Sequence, residues 1–400
     1  MPVGGIFLNH LNFIERDQTW KTVNQSNGTF VLRSESILYN MFKFKYADDL
    51  KIPRAVQLWL LTGLVMIFFQ IVIGGITRLT GSGLSITRWE IVTGAIPPLQ
   101  EAEWQSAFEL YKQTPQYVKI NQGMSLEDFK FIYFWEYFHR LWARLMFVVF
   151  VVPFFWFWFK GILSRRLMPR LLMVVGLAGL EGFFGWAMVA SGLIKRPWVN
   201  AYNLTLHLSM ALVIFTYLMW TWFITVSPRQ KEVSLPSFRR LSWILLGVTF
   251  LQIGLGAMMS GSKAGLFFPT WPDMHGEYLP AVLLEASHWT SDSFIQYDTN
   301  PFMPALLHFL HRNTAYILTG LVVFFVWRLF KENISLQLRR SGWWLLGVVS
   351  IQVLLGIFTV INCKAKIPVD LGVAHQAGAV VLLSVVSWMA YQLRPEQRAS

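Results

Sequence analysis

The run IYFWEYFHRLWARLMFVVFVVPFFWFWF, residues 132–159, decides the fold. Its only charged residues are Glu136, Arg140 and Arg144, and the second half is apolar throughout. About 20 such residues cross a hydrocarbon layer of roughly 30 Å as a helix. The same signal recurs along the chain, at about 57–77, 171–193, 204–226, 242–260, 304–327, 342–362 and 373–392, which predicts eight spans in all. Composition agrees: 54% of residues are hydrophobic, 16% aromatic and 14% charged, and mean hydropathy is +0.44. The 400 residues therefore read as an all-α integral membrane protein rather than as two or three soluble domains.

The net charge of +12 could signal nucleic acid, but its placement signals a lipid bilayer. Lys160, Arg165, Arg166 and Arg170 cluster between spans two and three. Arg229, Lys231, Arg239 and Arg240 cluster between four and five, and Arg328, Lys331, Arg339 and Arg340 between six and seven. Segment 261–303 carries Lys263 against Asp273, Glu277, Glu285, Asp292 and Asp298. Positive charge marks the cytoplasmic face, so both termini are expected there, with the long segments 78–131 and 261–303 outside. Residues 1–56 show no apolar signal core, and Glu15, Asp17 and Glu35 suit a mitochondrial transit peptide poorly. A bacterial inner membrane is the first expectation and a mitochondrial inner membrane the second. The single cysteine, Cys363, excludes an intrachain disulfide and reads as a passive thiol at a helix end.

The chain repeats itself. Gln70-x-x-x-Gly74 in span one matches Gln252-x-x-x-Gly256 in span five, and Glu181-x-x-x-Gly185 in span three matches Gln352-x-x-x-Gly356 in span seven. Four spans per copy make a parallel repeat about an axis along the membrane normal. The expected organisation is a polar extension (1–56), a four-helix bundle (57–226), a basic linker (227–241), a second four-helix bundle (242–392) and a tail (393–400), the bundles related by a pseudo-twofold. The glycines either let helices approach closely in lipid or clear room for a flat macrocycle.

Each copy has a histidine on its second span and another on its fourth: His139 in Glu136-Tyr137-Phe138-His139-Arg140, His207 in LTLHLS (204–209), His311 in His308-Phe309-Leu310-His311-Arg312, and His375 in GVAHQA (372–377). The two separations are nearly equal. Topology puts all four in one layer toward the outer surface, especially as Ser125-Leu-Glu-Asp128 resembles a capping box that would start span two several turns before His139. A lone membrane histidine usually makes an interhelical hydrogen bond. Four in register read as axial ligands of haem, because ionisable residues in membranes mark function and facing helices of a bundle are a recurrent way to hold a cofactor.

Glu136 precedes His139 by one turn, where the second copy has His308. A proton-transfer role competes with an interfacial salt bridge to Arg140 or Arg144, and the asymmetry gives the two copies different tasks, one for substrate and one for a fixed cofactor. His308 is a third ligand, a propionate partner, a proton relay or a packing residue. Arg78, Arg140 and Arg312 lie at the depth of haem propionates, although snorkelling alone would explain each. His10, His275 and His288 read as solvated.

These residues resemble the haem A synthase family, in its cysteine-free branch shared by alphaproteobacteria and mitochondria. The resemblance spans 57–392 and rests on GGITRLTGSGLS (74–85) with Trp89 and Pro97-Pro98, on MSLEDFKFI (124–132) leading into Glu136–Arg140, and on GWAMVASGL (185–193). The loop PTWPDM (269–274) follows the pattern only loosely. The resemblance implies an oxidoreductase that converts haem O to haem A for terminal oxidases, turning a ring methyl into a formyl group through a hydroxymethyl stage. It further implies that His139 and His207 bound the substrate-haem site, that His311 and His375 ligate one haem b, and that Glu136 is catalytic. Haem O synthase would supply the substrate and an unidentified donor the electrons; a homo-oligomer is compatible with the sequence. A different class, a dihaem b-type electron carrier that modifies no haem, also uses four histidines but leaves the Glu136/His308 asymmetry without a purpose. A repeat-built transporter would place its site nearer the midplane on broken helices.

Overall fold

The computed structural model describes residues 52–88, 93–192, 196–226 and 235–394. Most of the polar extension with His10, Glu15, Asp17 and Glu35, together with Trp89, Leu193, Arg229, Lys231 and the last six residues of the tail, lies outside these. Among the described residues eight helices are long and apolar enough to cross a membrane, and the only β pairing is an isolated bridge between Met274 and Glu277. The chain is an all-α, multi-pass membrane protein. In order, the helices are α1 (Arg54–Leu79), α2 (Glu101–Lys112), α3 (Pro115–Lys119), α4 (Leu126–Phe159), α5 (Leu167–Gly192), α6 (Ala201–Val226), α7 (Pro236–Gly261), α8 (Ala264–Phe267), α9 (Ser291–Ile295), α10 (Phe302–Leu329), α11 (Leu336–Ile361) and α12 (Val369–Gln392). The spans are α1, α4 to α7 and α10 to α12; α2, α3, α8 and α9 belong to the two long connections, which emerge at one end.

The helices start where the sequence says they can. Ser125 Oγ accepts from Asp128 N at 3.1 Å and Ser335 Oγ accepts from Leu338 N at 3.2 Å, each serving an amide that has no partner inside the helix, while Pro236 in the first turn of α7 has no N–H to leave unpartnered. Several spans outrun their apolar cores. Consequently Arg239, Arg240, Arg339 and Arg340, expected in connecting loops, stand in the first turns of α7 and α11, and Arg328 in the last turn of α10. At 34 residues α4 is about 51 Å long, far more than the hydrocarbon layer. Its protruding start carries Phe129 and Ile132, which pack with Phe108 and Tyr111 of α2 into a separate aromatic cluster. The start of α4 thus anchors the first long connection.

Neighbours repeat between the halves: α1 lies against α4 as α7 does against α10, α5 against α6 as α11 against α12, and α1 against α6 as α7 against α12. The halves meet where α6 touches α7 and α12 touches both α1 and α6. Gln376 crosses this seam, donating to the Ile71 carbonyl at 2.6 Å. It fits because residue 75 is glycine; a Cβ there would lie 3.0 Å from both Gln376 Oε1 and Nε2. At the loop-bearing end, Trp198 donates to Asp298 at 3.2 Å, and Ala201 N donates to the Tyr297 hydroxyl at 3.0 Å. Phe147, Phe155, Trp156 and Phe159 of α4 and Leu172 and Phe183 of α5 are exposed, which suits a face turned to lipid.

Candidate functional site

A cavity of about 1590 Å³ runs between the halves, and His139, His207, His311 and His375 all line it. Single small-molecule pockets are usually roughly 300–1,000 Å³, so there is room for more than one large ligand. Both histidine pairs open onto this one space.

Each histidine rests on a glycine of the preceding span. A Cβ built at Gly74 would lie 3.1 Å from His139 Cε1, at Gly185 3.1 Å from His207 Cε1, at Gly256 3.0 Å from His311 Cε1 and at Gly356 2.9 Å from His375 Cε1. Real side chains do not tolerate such contacts without displacement. The motif glycines therefore make room for imidazoles, a role different from both sequence readings, bare helix packing and clearance for a macrocycle.

The residue four positions before each glycine reaches the same histidine, because positions i and i+4 share a helix face. Gln70 Nε2 donates to the His139 carbonyl at 3.3 Å. Gln252 Nε2 donates to the His311 carbonyl at 3.0 Å and lies 3.3 Å from its Nε2. Gln352 Nε2 donates to the His375 carbonyl at 2.8 Å and approaches its Nδ1 at 3.1 Å. Glu181 Oε1 lies 3.0 Å from His207 Nδ1, at ion-pair distance but without the alignment of a hydrogen bond, so that nitrogen is otherwise unsatisfied.

The His311 and His375 rings stand 6.3 Å apart, centre to centre, at 84°. Two imidazoles bound to opposite sides of one ion, each with a metal–nitrogen bond of about 2.0 Å, would have ring centres about 6.3 Å apart. Nδ1 of His139 and of His311 is buried without a hydrogen-bond partner among the described residues, and no three His, Cys, Asp or Glu converge there as an all-protein metal site would require. Two imidazoles flanking a large apolar space fit an iron tetrapyrrole.

Glu136 is 3% exposed and lines the cavity. Its Oε2 accepts from Ser85 Oγ at 2.7 Å and from Ile86 N at 2.8 Å, while Arg140 donates to Oε1 at 2.6 Å. The carboxylate thus makes the salt bridge expected as its structural role and also pins the start of the first long connection onto the cavity wall. In the second half His308 takes this place, 3% exposed, edge-on to Phe268, with Nδ1 unpartnered.

The three arginines line the cavity while holding backbone. Arg78 reaches across the halves to the Ser260 carbonyl. Arg140 donates to the Ile86 carbonyl at 3.3 Å. Arg312 donates to the carbonyls of Pro272 at 2.7 Å and Tyr278 at 2.6 Å, leaving its Nε unpartnered. Snorkelling does not describe Arg312, which is 5% exposed. His275 is exposed, as expected, with Nε2 2.7 Å from the Phe267 carbonyl, and the partly exposed His288 pairs with Glu285 at 3.1 Å. Cys363 is buried with its thiol on the Thr359 carbonyl at 3.2 Å, and burial raises its pKa, as expected of a passive thiol.

Fold and site together define a polytopic helical membrane protein whose interior histidines, two to each half, stand on glycines and are contacted from the neighbouring helix. Residues 57–387 match the family described as cytochrome oxidase assembly protein. The chain is 38% identical to the heme A synthase of Flavobacterium psychrophilum over 86% of this chain and 99% of that one. It is 41% identical to that of Rhodospirillum centenum over 86% and 90%, and 40% identical to that of Bradyrhizobium diazoefficiens over 86% and 93%. The chain belongs to the haem A synthase family.

Proposed function

We propose that this protein makes haem A for terminal oxidases from haem O, oxidising a ring methyl to a formyl group by way of the hydroxymethyl compound. The observation that carries the reading is the imidazole–glycine unit, present four times in two halves around one cavity, with His311 and His375 spaced for a shared iron. In this reading His311 and His375 hold a resident haem b in the half formed by 242–392, and His139 and His207 hold the substrate haem in the half formed by 57–226. An unactivated methyl needs a stronger oxidant than side chains provide, and haem iron supplies it.

The remaining roles follow from what each side chain can do. Glu136, at the cavity wall, holds or moves a proton beside the reacting methyl, while Ser85, Ile86 and Arg140 keep it in place. Arg78, Arg140 and Arg312 present cations at the loop-bearing end, where propionates would point; the free Nε of Arg312 is available for one. In this reading the basic short connections and both termini face the cytoplasm and the loop-bearing end faces outside, in a bacterial inner membrane; the positive charge of those connections supports it. Haem b, held by His311 and His375, would supply electron transfer from a donor, and a haem O synthase would supply the substrate.

The test is to express the full chain with a haem O synthase and identify the extracted tetrapyrroles by mass. Haem A or its hydroxymethyl precursor supports the enzyme. Haem b alone would establish an electron carrier instead.

A glycine comparison probes the cradle directly. Gly256→Ala should push the His311 ring aside and weaken haem retention in the C-terminal half by about 10–100-fold, the usual cost of disturbing a ligand's support. Gly254→Ala, where an added Cβ meets open space, should retain haem normally. Equal retention by both variants, read as haem absorbance per protein after detergent washing, would remove the cradle from the account.

A further inference from the structure

Of the four motif residues that contact the interior histidines, three are glutamines that donate to a histidine backbone carbonyl, and one is a glutamate set against a ring nitrogen. Gln70, Gln252 and Gln352 bring a neutral amide; Glu181 brings a carboxylate. Glu181 stands on α5 well inside the span, its side chain is 18% exposed, and its ion-pair partner is His207 Nδ1 at 3.0 Å. A carboxylate in a membrane interior is costly and is kept where it acts on a partner. Its other oxygen, Oε2, is buried without a hydrogen bond, so packing and helix capping do not explain its presence. Glutamine would fill the same volume, as it does at the three equivalent positions.

An imidazole that ligates a metal through one nitrogen responds to what lies against the other, and a carboxylate at ion-pair distance there makes it a stronger electron donor than a neutral group does. The donor strength of the axial ligand is one of the levers by which a protein sets haem potential and favours oxygen chemistry over electron carriage.

We propose that Glu181 is a positioning residue that makes His207 the most electron-donating of the four histidines, so that the haem held in the N-terminal half is the harder of the two to reduce. The inference deepens the proposed function and rests on its assignment of His207 as a ligand. It gives the two halves different electronic character through a single atom pair, independently of the Glu136/His308 difference.

The experiment is an optical redox titration of the purified full-length protein, with each transition assigned by its loss in His139→Ala or His311→Ala. In Glu181→Gln the N-terminal midpoint should rise by at least tenfold in the ferric–ferrous equilibrium, about 59 mV for one electron, while the C-terminal midpoint stays in place. Gln352→Glu, which gives His375 the same carboxylate, should lower the C-terminal midpoint. A merely structural role would not move the two potentials in opposite directions. Retention of both haems with unmoved midpoints overturns the proposal. If Glu181→Gln loses its haem, Gln352→Glu decides alone: a C-terminal midpoint that does not fall overturns it. Wild-type protein carrying no haem that His207→Ala removes would overturn the ligand assignment itself, through stoichiometry rather than potential.

Discussion

A His375→Ala variant should lose the haem of the C-terminal half and with it haem A production. The ring of His375 is one of two that face each other across 6.3 Å, and it is held on both sides, by Gln352 at 3.1 Å and by the bare backbone of Gly356. Removing a ligand should cost more than the 10–100-fold that disturbing its support costs, so purified protein should show the spectrum of the N-terminal site alone. Because the proposal routes electrons through haem b, cells expressing the variant should accumulate haem O. Haem-to-protein ratio and extracted tetrapyrrole masses measure the two effects separately. An unchanged ratio would show that His375 holds no haem, and continued haem A formation without haem b would sever the C-terminal half from the chemistry.

Glu136→Ala should produce the opposite division: haem b retained, turnover stalled at haem O or at the hydroxymethyl stage. Proton transfer by a placed carboxylate is worth roughly 10²–10⁴-fold in rate, and the variant should lose that much. The geometry demands a control, because Glu136 also tethers residues 85 and 86 to α4. Ser85→Ala removes one of the tethers and leaves the carboxylate. If tethering were the whole role of Glu136, Ser85→Ala would reproduce part of the defect; if the carboxylate acts on the substrate, Ser85→Ala should remain close to wild type. Full haem A formation by Glu136→Ala, measured by mass of the extracted haems, would take the carboxylate out of the mechanism.

Hydrophobic length and periodicity are visible in the sequence itself. A stretch of apolar residues long enough to cross lipid has few alternatives to a helix, since every backbone amide must be satisfied internally. Spans α4 and α10 were legible for that reason, with His139 and His311 near the loop-bearing end of each. The four x-x-x-Gly motifs were also legible as repeats, but their meaning was not. Spacing along a helix tells which residues share a face; it does not tell which neighbour that face meets. Only in three dimensions do Gly185 and Glu181 prove to share His207, and Gly356 and Gln352 to share His375. A reader of the sequence could have found the pairing by asking why each motif precedes a histidine-bearing span.

Arg312 makes the same point at the membrane edge. Its depth was predictable, but its contacts with the Pro272 and Tyr278 carbonyls depend on a loop whose path has no periodic signal. The loop helices α2 and α3, and the aromatic cluster they share with α4, were likewise invisible to a search for apolar spans, since they are short and mixed in polarity.

By itself, the sequence determined that the chain is helical, crosses the membrane eight times, is internally repeated and carries four interior histidines at matched positions. Those properties are local: they depend on hydrophobic length and on residue order along one helix. Tertiary structure decided that the four histidines share one cavity, that glycines serve as their seats, that Gln376 joins the halves through Gly75, and that Glu181 sets a carboxylate against one of them. These depend on which helices become neighbours, and in lipid that choice is made by close packing and a few polar contacts between distant residues.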